Sequence, residues 1–231
     1  MNYHIGMIPD GNRRWAIAKG LEPWEGHKVG AEKGRLFLEW AISHEEVFEV
    51  TVYILSEENF GRTPQELGKL YEIYEDQLEK LINSHRIHAD KVRVNIISTN
   101  VKPIPRSIIR LMNRIDRETK DYENKVLNLL IGYTGQAEIL EAVSSPRNRV
   151  KNLLFGLSEK DLNNSLMVKT PCDLIIRTGT EGGREARSGF LLWQTTYSEY
   201  YRINKFFPDI TEEDLDKAWD YFKNIRRRKG L

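Results

Sequence analysis

Tyr3-His4-Ile5-Gly6-Met7-Ile8-Pro9-Asp10-Gly11-Asn12-Arg13-Arg14-Trp15 is an apolar run followed by a carboxylate, a glycine, an asparagine and two arginines. Tyr3 to Ile8 reads as a buried strand, and the residues beyond the turn read as a helix. A strand that turns into a helix in this way aims backbone N–H groups at one point, and the helix dipole adds positive potential there. That is an anion site in principle. Two arginines specialise it toward phosphate or diphosphate. Asp10 is the odd member: a carboxylate beside phosphate is repulsive unless a cation lies between them, which points to Mg2+. Taken without its neighbours, the stretch is equally a plain helix start, with Asp10 or Asn12 as cap and the arginines solvated.

Outward from this stretch, short apolar runs recur at Phe48 to Leu55, Val92 to Ser98, Val126 to Gly132 and Asp173 to Arg177. They resemble strands covered on both faces. Between them lie stretches with helical spacing: Val29 to Ser43, Pro64 to His88, Ile104 to Tyr122, Ala137 to Phe155 and Thr211 to Arg226. Thr63, Pro64 and Glu66 form a helix-start signature, as do Thr211 to Asp214. Alternating strands and helices predict one α/β domain spanning 1–231, with a central, mostly parallel sheet flanked by helices.

Ligands of such sheets bind beyond the carboxyl ends of the strands. The loops there hold Asp10 to Trp15, Ser56 to Arg62, Ser98 to Asn100, Gly132 to Gly135, and Arg177 to Ser188 with glycines at 179, 182 and 183. Three of the five carry arginine beside Gly, Ser or Asn. There are more arginines than one phosphate needs, and two diphosphates would use them. Ser188-Gly189 is expected to open an apolar helix through Gln194, with Glu199 near its end. His27 alone reads as a surface residue before a helix, and Arg226 to Lys229 as a solvated basic tail.

The totals set limits. The chain has 231 residues, 40% hydrophobic and 30% charged, as a soluble globular protein with a real core would have. A net charge of +1 supplies no global field for nucleic acid, so no nucleic-acid partner is expected. Cys172, the single cysteine, excludes an intramolecular disulfide. No signal-peptide pattern opens the chain and no apolar run approaches 18 residues, so a cytoplasmic location is expected.

Together these loops resemble the cis-prenyltransferase family, the undecaprenyl and dehydrodolichyl diphosphate synthases, in an archaeal type. The marks stand in order over nearly the whole chain: HIGMIPDGNRRWA, GHKVGA, YILSEENFGRTPQEL, YTGQAEI and DLIIRTG…SGFLLWQTTYSEYY. The resemblance implies Mg2+-dependent elongation of an allylic prenyl diphosphate by isopentenyl diphosphate, with a new Z double bond and release of pyrophosphate. It assigns Asp10 to Mg2+ and Gly11, Asn12, Arg13 and Arg14, with Trp15 beside them, to the allylic diphosphate. Asn59 falls near the proton removed, and His27 in the same polar shell. Ser56, Phe60 and Arg62 shape the two-substrate site. Arg177, Ser188 and one of Arg184 or Arg187 clamp isopentenyl diphosphate, and Glu199 serves Mg2+ and that substrate. Arg228-Lys229-Gly230 reaches a diphosphate across a homodimer interface, which replaces the plain reading of the tail. The growing chain implies an apolar tunnel between the sheet and helices 29–43 and 64–88, with Leu36, Phe37, Trp40, Leu78 and Leu81 as candidate walls. The apolar product also implies peripheral membrane contact. Ile54, where long-chain members often have a smaller residue, is expected to narrow the tunnel.

The chain departs from the family pattern at Pro23, Gly132, Gln136 and the long segment Thr180 to Arg187. These departures leave two alternatives open. One is a non-head-to-tail or unusual-acceptor transferase, as in lavandulyl diphosphate synthesis. The other is a non-catalytic partner subunit.

Overall fold

The computed structural model describes residues 2–179 and 186–225. Six strands, β1 (Tyr3–Ile8), β2 (Val47–Ser56), β3 (Val92–Ile97), β4 (Lys125–Tyr133), β5 (Leu174–Arg177) and β6 (Glu199–Arg202), form one parallel sheet in the order β3-β4-β2-β1-β5-β6. The five expected strands are present to within two residues at their ends. Parallel strands need long crossovers, and helices supply those up to β5: α1 (Asn12–Ala18), α2 (Pro23–Ser43), α3 (Pro64–Ile82), α4 (His85–Ala89), α5 (Arg106–Thr119), α6 (Gly135–Ser144), α7 (Pro146–Phe155) and α8 (Glu159–Ser165); α9 (Glu212–Asn224) follows β6.

The alternation of side chains along the strands divides the core in two. Ile5, Met7, Val50, Val52, Leu127 and Leu129 pack with residues of α2, α3, α5 and α9. On the opposite face Ile8, Tyr53, Leu130 and Ile175 pack against Phe190 and Leu191. From β1 the chain crosses to β2 on one side, while β5 lies on the other. The strand order therefore reverses beside β1, and a crevice opens beyond the carboxyl ends of β1, β2 and β5.

The capping signatures act as read. Thr63 Oγ1 accepts from the Glu66 N–H at 3.3 Å, and Thr211 and Asp214 form a reciprocal capping box. The helix expected over 64–88 ends at Ile82 and restarts as α4 under a Ser84 cap. The helix expected over 137–155 is two helices, because Pro146 has no N–H to continue α6 and instead begins α7. The short α8 and β6 carry too few residues for a periodic signal. After Ser188 no helix forms: Ser188, Gly189 and Leu191 have φ of 50°, 78° and 36°. A right-handed helix cannot accommodate these angles, so the chain runs through turns and Glu199 opens β6.

The loop after β1 is fixed by close packing of α1 on α2. A Cβ at Gly26 would lie 1.9 Å from the Asn12 carbonyl oxygen, and one at Gly30 would lie 2.1 Å from Asn12 Oδ1. These glycines stand one turn apart on the face of α2 that receives α1. Gly26→Ala should therefore lower stability by about 1–3 kcal/mol. Gly68→Ala, where a Cβ meets open space, should leave it unchanged or raise it; urea unfolding midpoints of the two variants check this.

Candidate active site

The sheet register pairs Ile8 with Arg177, so the loops that follow β1 and β5 leave the sheet side by side. Asp10 Oδ2 lies 2.7 Å from Nη2 of Arg177, whose side chain is only 2% exposed. Nη1 of Arg177 donates to the Ala186 carbonyl and, at 3.4 Å, to Ser188 Oγ. The other Asp10 oxygen accepts from the Gly11 N–H at 2.6 Å and lies 3.4 Å from Nη2 of Arg14. Arg14 also donates to the Gly179 carbonyl at 2.6 Å, and Thr178 Oγ1 to the Asp10 carbonyl at 2.8 Å. Gly179 has φ 66°, and a Cβ there would lie 2.7 Å from Arg14 Nη2. The two loops are thus knitted around one carboxylate and two guanidiniums.

A second cluster comes from the loop after β2. Asn59 donates to Ser56 Oγ and accepts from Arg62. Arg62 Nη1 donates to His27 Nε2 at 3.2 Å and to Glu66 Oε1 at 3.1 Å. A guanidinium has no acceptor, so His27 Nε2 offers a lone pair and the ring proton sits on Nδ1. Burial of the ring, with Arg62 and Arg13 beside it, holds the His27 pKa down at about 3. Arg13 Nε reaches the same Glu66 oxygen at 3.1 Å. The sequence marks Glu66 only as part of the α3 cap, yet in the fold it joins Arg13 and Arg62. Its spacing of four from Arg62 on one helix-start face was the available signal.

Both clusters face one cavity of about 730 Å3. Asp10, Arg13, Arg14, His27, Asn59, Arg62, Arg177 and Ser188 line its polar end. Gly11, Asn12 and Ser56 line it too. Asn12 also ties the loop back, its Nδ2 donating to the Pro9 carbonyl at 2.9 Å. Beyond that end the wall carries an apolar stretch, Val52 and Ile54 from β2, Leu129 and Ile131 from β4, Leu38 and Ile42 from α2, and Ile73, Leu78 and Leu81 from α3, and charged residues, Glu32, Arg35, Glu39, Lys80 and Arg86, border it as well. This is the expected tunnel between the sheet and two helices. Leu78 and Leu81 line it as expected; Leu36, Phe37 and Trp40 do not. Phe37 and Trp40 lie on the adjoining face of α2, where Trp40 donates to Asp216 at 2.8 Å and meets Trp219 edge-on. Ile54 lies at a register irregularity between β2 and β4, and it lines the wall.

Several candidates lie elsewhere. Trp15 is buried away from the cavity and donates to Asp209 Oδ1 at 2.7 Å, which makes it an anchor of α1. Phe60 packs over Gly132, where a Cβ would come within 2.7 Å of its ring. Arg187 donates to the Thr195 carbonyl at 2.8 Å, so it braces the turns before β6. Glu199 pairs in register with Leu174, three residues short of the Arg177 level, and is absent from the cavity wall. Within this chain the fold does not set it beside Asp10, because Glu199 begins a strand at the amino edge instead of ending a helix at the carboxyl edge. Arg184, Arg228 and Gly230 lie outside the described residues. Gly135, in the altered YTGQ segment, donates to the Gly189 carbonyl at 2.7 Å, so that segment buttresses the β5 loop.

A family model described as "Putative undecaprenyl diphosphate synthase" matches residues 8–230. The chain belongs to that family. Within the undecaprenyl diphosphate synthase family, the chain is 37% identical to the tritrans,polycis-undecaprenyl-diphosphate synthase (geranylgeranyl-diphosphate specific) of Methanopyrus kandleri, over 98% of this chain and 84% of that one. It is 34% identical to an isoprenyl transferase of Thermus thermophilus, over 100% and 89%. Among solved structures, lavandulyl diphosphate synthase from Lavandula x intermedia in complex with dimethylallyl diphosphate superimposes with a TM-score of 0.86 at 26% identity, over 99% and 98% of the two chains.

The state of His27 has a measurable consequence. The unfolded ring takes a proton near pH 6.5 and the folded ring resists until about 3. Across that window the unfolded state binds more protons, so stability falls as pH falls. The urea midpoint of the wild type should drop between those two pH values, and His27→Gln should show a shallower drop.

Proposed function

We propose that this prenyltransferase-family protein condenses isopentenyl diphosphate with an allylic prenyl diphosphate, forming a Z double bond and releasing pyrophosphate. The observation that carries the reading is a cavity lined with arginines at its polar end and continued by an apolar stretch between the sheet, α2 and α3. That is the shape of a molecule with a diphosphate head and a hydrocarbon tail. The allylic diphosphate is assigned to Gly11, Asn12, Arg13 and Arg14, and the isopentenyl diphosphate to Arg177 and Ser188. Because Arg187 is engaged with Thr195, the remaining clamp role falls to Arg184.

In the reaction the allylic C–O bond breaks and pyrophosphate takes its electron pair. The isopentenyl π bond then forms the new C–C bond, and a proton leaves to give the new double bond. Fixed guanidiniums favour the first step by meeting charge as it develops on the leaving group. Holding both substrates in one crevice makes the second step effectively unimolecular. His27 is neutral and its Nε2 is committed to Arg62, so its role is to position Arg62; a diphosphate oxygen near Asn59 and Ser56 takes the proton. Among the described residues no group of three His, Cys, Asp or Glu side chains could hold a metal alone. One carboxylate beside diphosphate oxygens is nevertheless a set that Mg2+ accepts. Asp10 would hold the ion, which supplies charge neutralisation of the departing pyrophosphate.

The Methanopyrus relative's name suggests geranylgeranyl diphosphate as primer. A homodimer, with Arg228 and Gly230 reaching across it, and a cytoplasmic location complete the proposal. The intact aspartate–arginine loop speaks against a non-catalytic subunit. The likeness to lavandulyl diphosphate synthase keeps a second reading, non-head-to-tail coupling of two allylic units.

Labelled isopentenyl diphosphate, offered with dimethylallyl, geranyl, farnesyl or geranylgeranyl diphosphate, tests this. Incorporation should be greatest with the last, and no incorporation with any primer would sink the proposal. Product from dimethylallyl diphosphate alone would favour the second reading. Asp10→Asn, which keeps a hydrogen-bond acceptor for the buried Arg177, should lower turnover by about a hundredfold or more while the circular dichroism stays unchanged. Ile54→Ala should lengthen the product, read by chromatography of the dephosphorylated chains.

A further inference from the structure

The chain beyond β6 turns back against the Asp10 loop and holds it at successive residues. The sheet register begins this: β6 pairs with β5 as β5 pairs with β1, so three loops leave the carboxyl edge side by side. The pairing continues past the strands, where the Ile203 N–H donates to the Arg177 carbonyl at 2.9 Å and the Gly179 N–H to the Lys205 carbonyl at 2.7 Å. The Phe207 N–H then donates to the Asp10 carbonyl at 3.1 Å, and Asp209 holds the Trp15 ring nitrogen. Between these contacts the Phe206 ring fills the space at Gly11, where a Cβ would lie 2.6 Å from Cδ1 of the ring. Residues 203–209 lie outside the motifs that carried the family resemblance.

One partner of Phe206 bears on the chemistry. The Arg14 guanidinium carbon lies over the ring, 5.3 Å from its centroid. Nη2 of Arg14 is spent on the Gly179 carbonyl at 2.6 Å and approaches Asp10 only to 3.4 Å. Asp10 gives its closer contact to Arg177, so it neutralises Arg14 only in part. Among the described residues Nε and Nη1 of Arg14 donate to nothing, and Arg14 lines the cavity. The cation is thus held by its face and one nitrogen, with two nitrogens left for a ligand. A long side chain loses rotamer freedom when it is ordered, and a ring that has already ordered it lowers the cost of meeting a diphosphate. A leucine would still pack over Gly11, but it offers no aromatic face to the cation.

We propose that Phe206 is a positioning residue for the allylic diphosphate: its ring fixes the Arg14 guanidinium through a cation–π contact, so that affinity for the primer depends on an aromatic side chain at this position. The role concerns one substrate only. Arg177 and Ser188, assigned to isopentenyl diphosphate, are bonded to Asp10, Ala186 and each other and not to Phe206. This inference rests on the function proposed above and adds to it a residue that no motif marks.

Equilibrium titration of the full chain with geranylgeranyl diphosphate and Mg2+, and steady-state kinetics with each substrate varied in turn, test this role. Phe206→Leu should raise the Kd and KM of the allylic diphosphate by about threefold to fivefold, without a comparable rise in the KM of isopentenyl diphosphate. Phe206→Tyr, which keeps the aromatic face, should bind the primer as the wild type does. Phe206→Met should repeat the leucine result, and it replaces that variant if the leucine chain folds poorly. An unchanged allylic Kd in the leucine variant would overturn the role. So would an equal loss in the tyrosine and leucine variants, or a parallel rise in both KM values, either of which would mark Phe206 as packing alone. Failure of the wild type to bind any allylic diphosphate would instead overturn the proposed function, and this role with it.

Discussion

Arg177 sits at the last position of β5 with its guanidinium almost wholly withdrawn from water, and the Asp10 carboxylate meets it at 2.7 Å. A buried cation without a partner is costly by several kcal/mol, so this pair fixes more than its own geometry. Asp10 can reach Arg177 only because Ile8 and Arg177 share a register position. The register in turn requires β5 to return beside β1 after the long excursion through β2, β3 and β4. The pair therefore ties the first strand of the chain to the fifth, across 167 residues. It also places a carboxylate and two arginines at the reversal point of the sheet, where a doubly wound fold opens its crevice.

The pair also sets the polarity of the cavity. Guanidiniums from three loops gather at the carboxyl edge of the sheet. Below them the cavity runs between strand faces and helix stripes that carry no charge until its far rim. The partition follows from two periodicities. The alternation of β2 and β4 turns Val52, Ile54, Leu129 and Ile131 to the same side, while α2 and α3 return stripes spaced by three and four residues to face them. A head-and-tail substrate is read by this arrangement without any side chain changing place. His27 and Glu66 act one step back, holding Arg62 and Arg13 at fixed positions; their value lies in preorganisation, since a guanidinium already oriented loses little on meeting a diphosphate.

α6 and α7 illustrate the same physics at the surface. A proline divides what periodicity alone would read as one helix, and the second half docks through Asn148. Burial of Asn148, held by its two amide N–H donors, then leaves Leu153 and Leu154 outside. Apolar periodicity identifies a stripe but not the direction in which it faces.

The strands, the wholly local caps and the identity of the phosphate-binding loops were legible in the sequence, because each depends on near neighbours. A β-branched run between turn residues is a strand wherever it lies, and Thr63-Pro64 starts a helix whatever packs on it. The motifs HIGMIPDGNRRWA and DLIIRTG carried the family resemblance, and the family match over residues 8–230 agrees with it. Tertiary structure alone decided how those loops are used. Trp15 and Arg187 sit inside the recognised motifs, yet they serve as braces on Asp209 and Thr195. Trp40 faces α9 with Phe37 stacked on it, and neither lines the tunnel, because the face α2 gives to each depends on which helices surround it. Glu199 and the turns before it hinged on left-handed backbone at Ser188 and Leu191, two residue types that seldom adopt it. Glu66 passed for a cap until Arg13 and Arg62 were brought to it from separate elements. The sequence by itself determines what is governed by bonding and near neighbours: strand, cap, turn and the chemistry of each side chain. Direction, partner and distance are set only when elements far apart in the chain compete to bury the same surfaces, and that competition is settled in three dimensions.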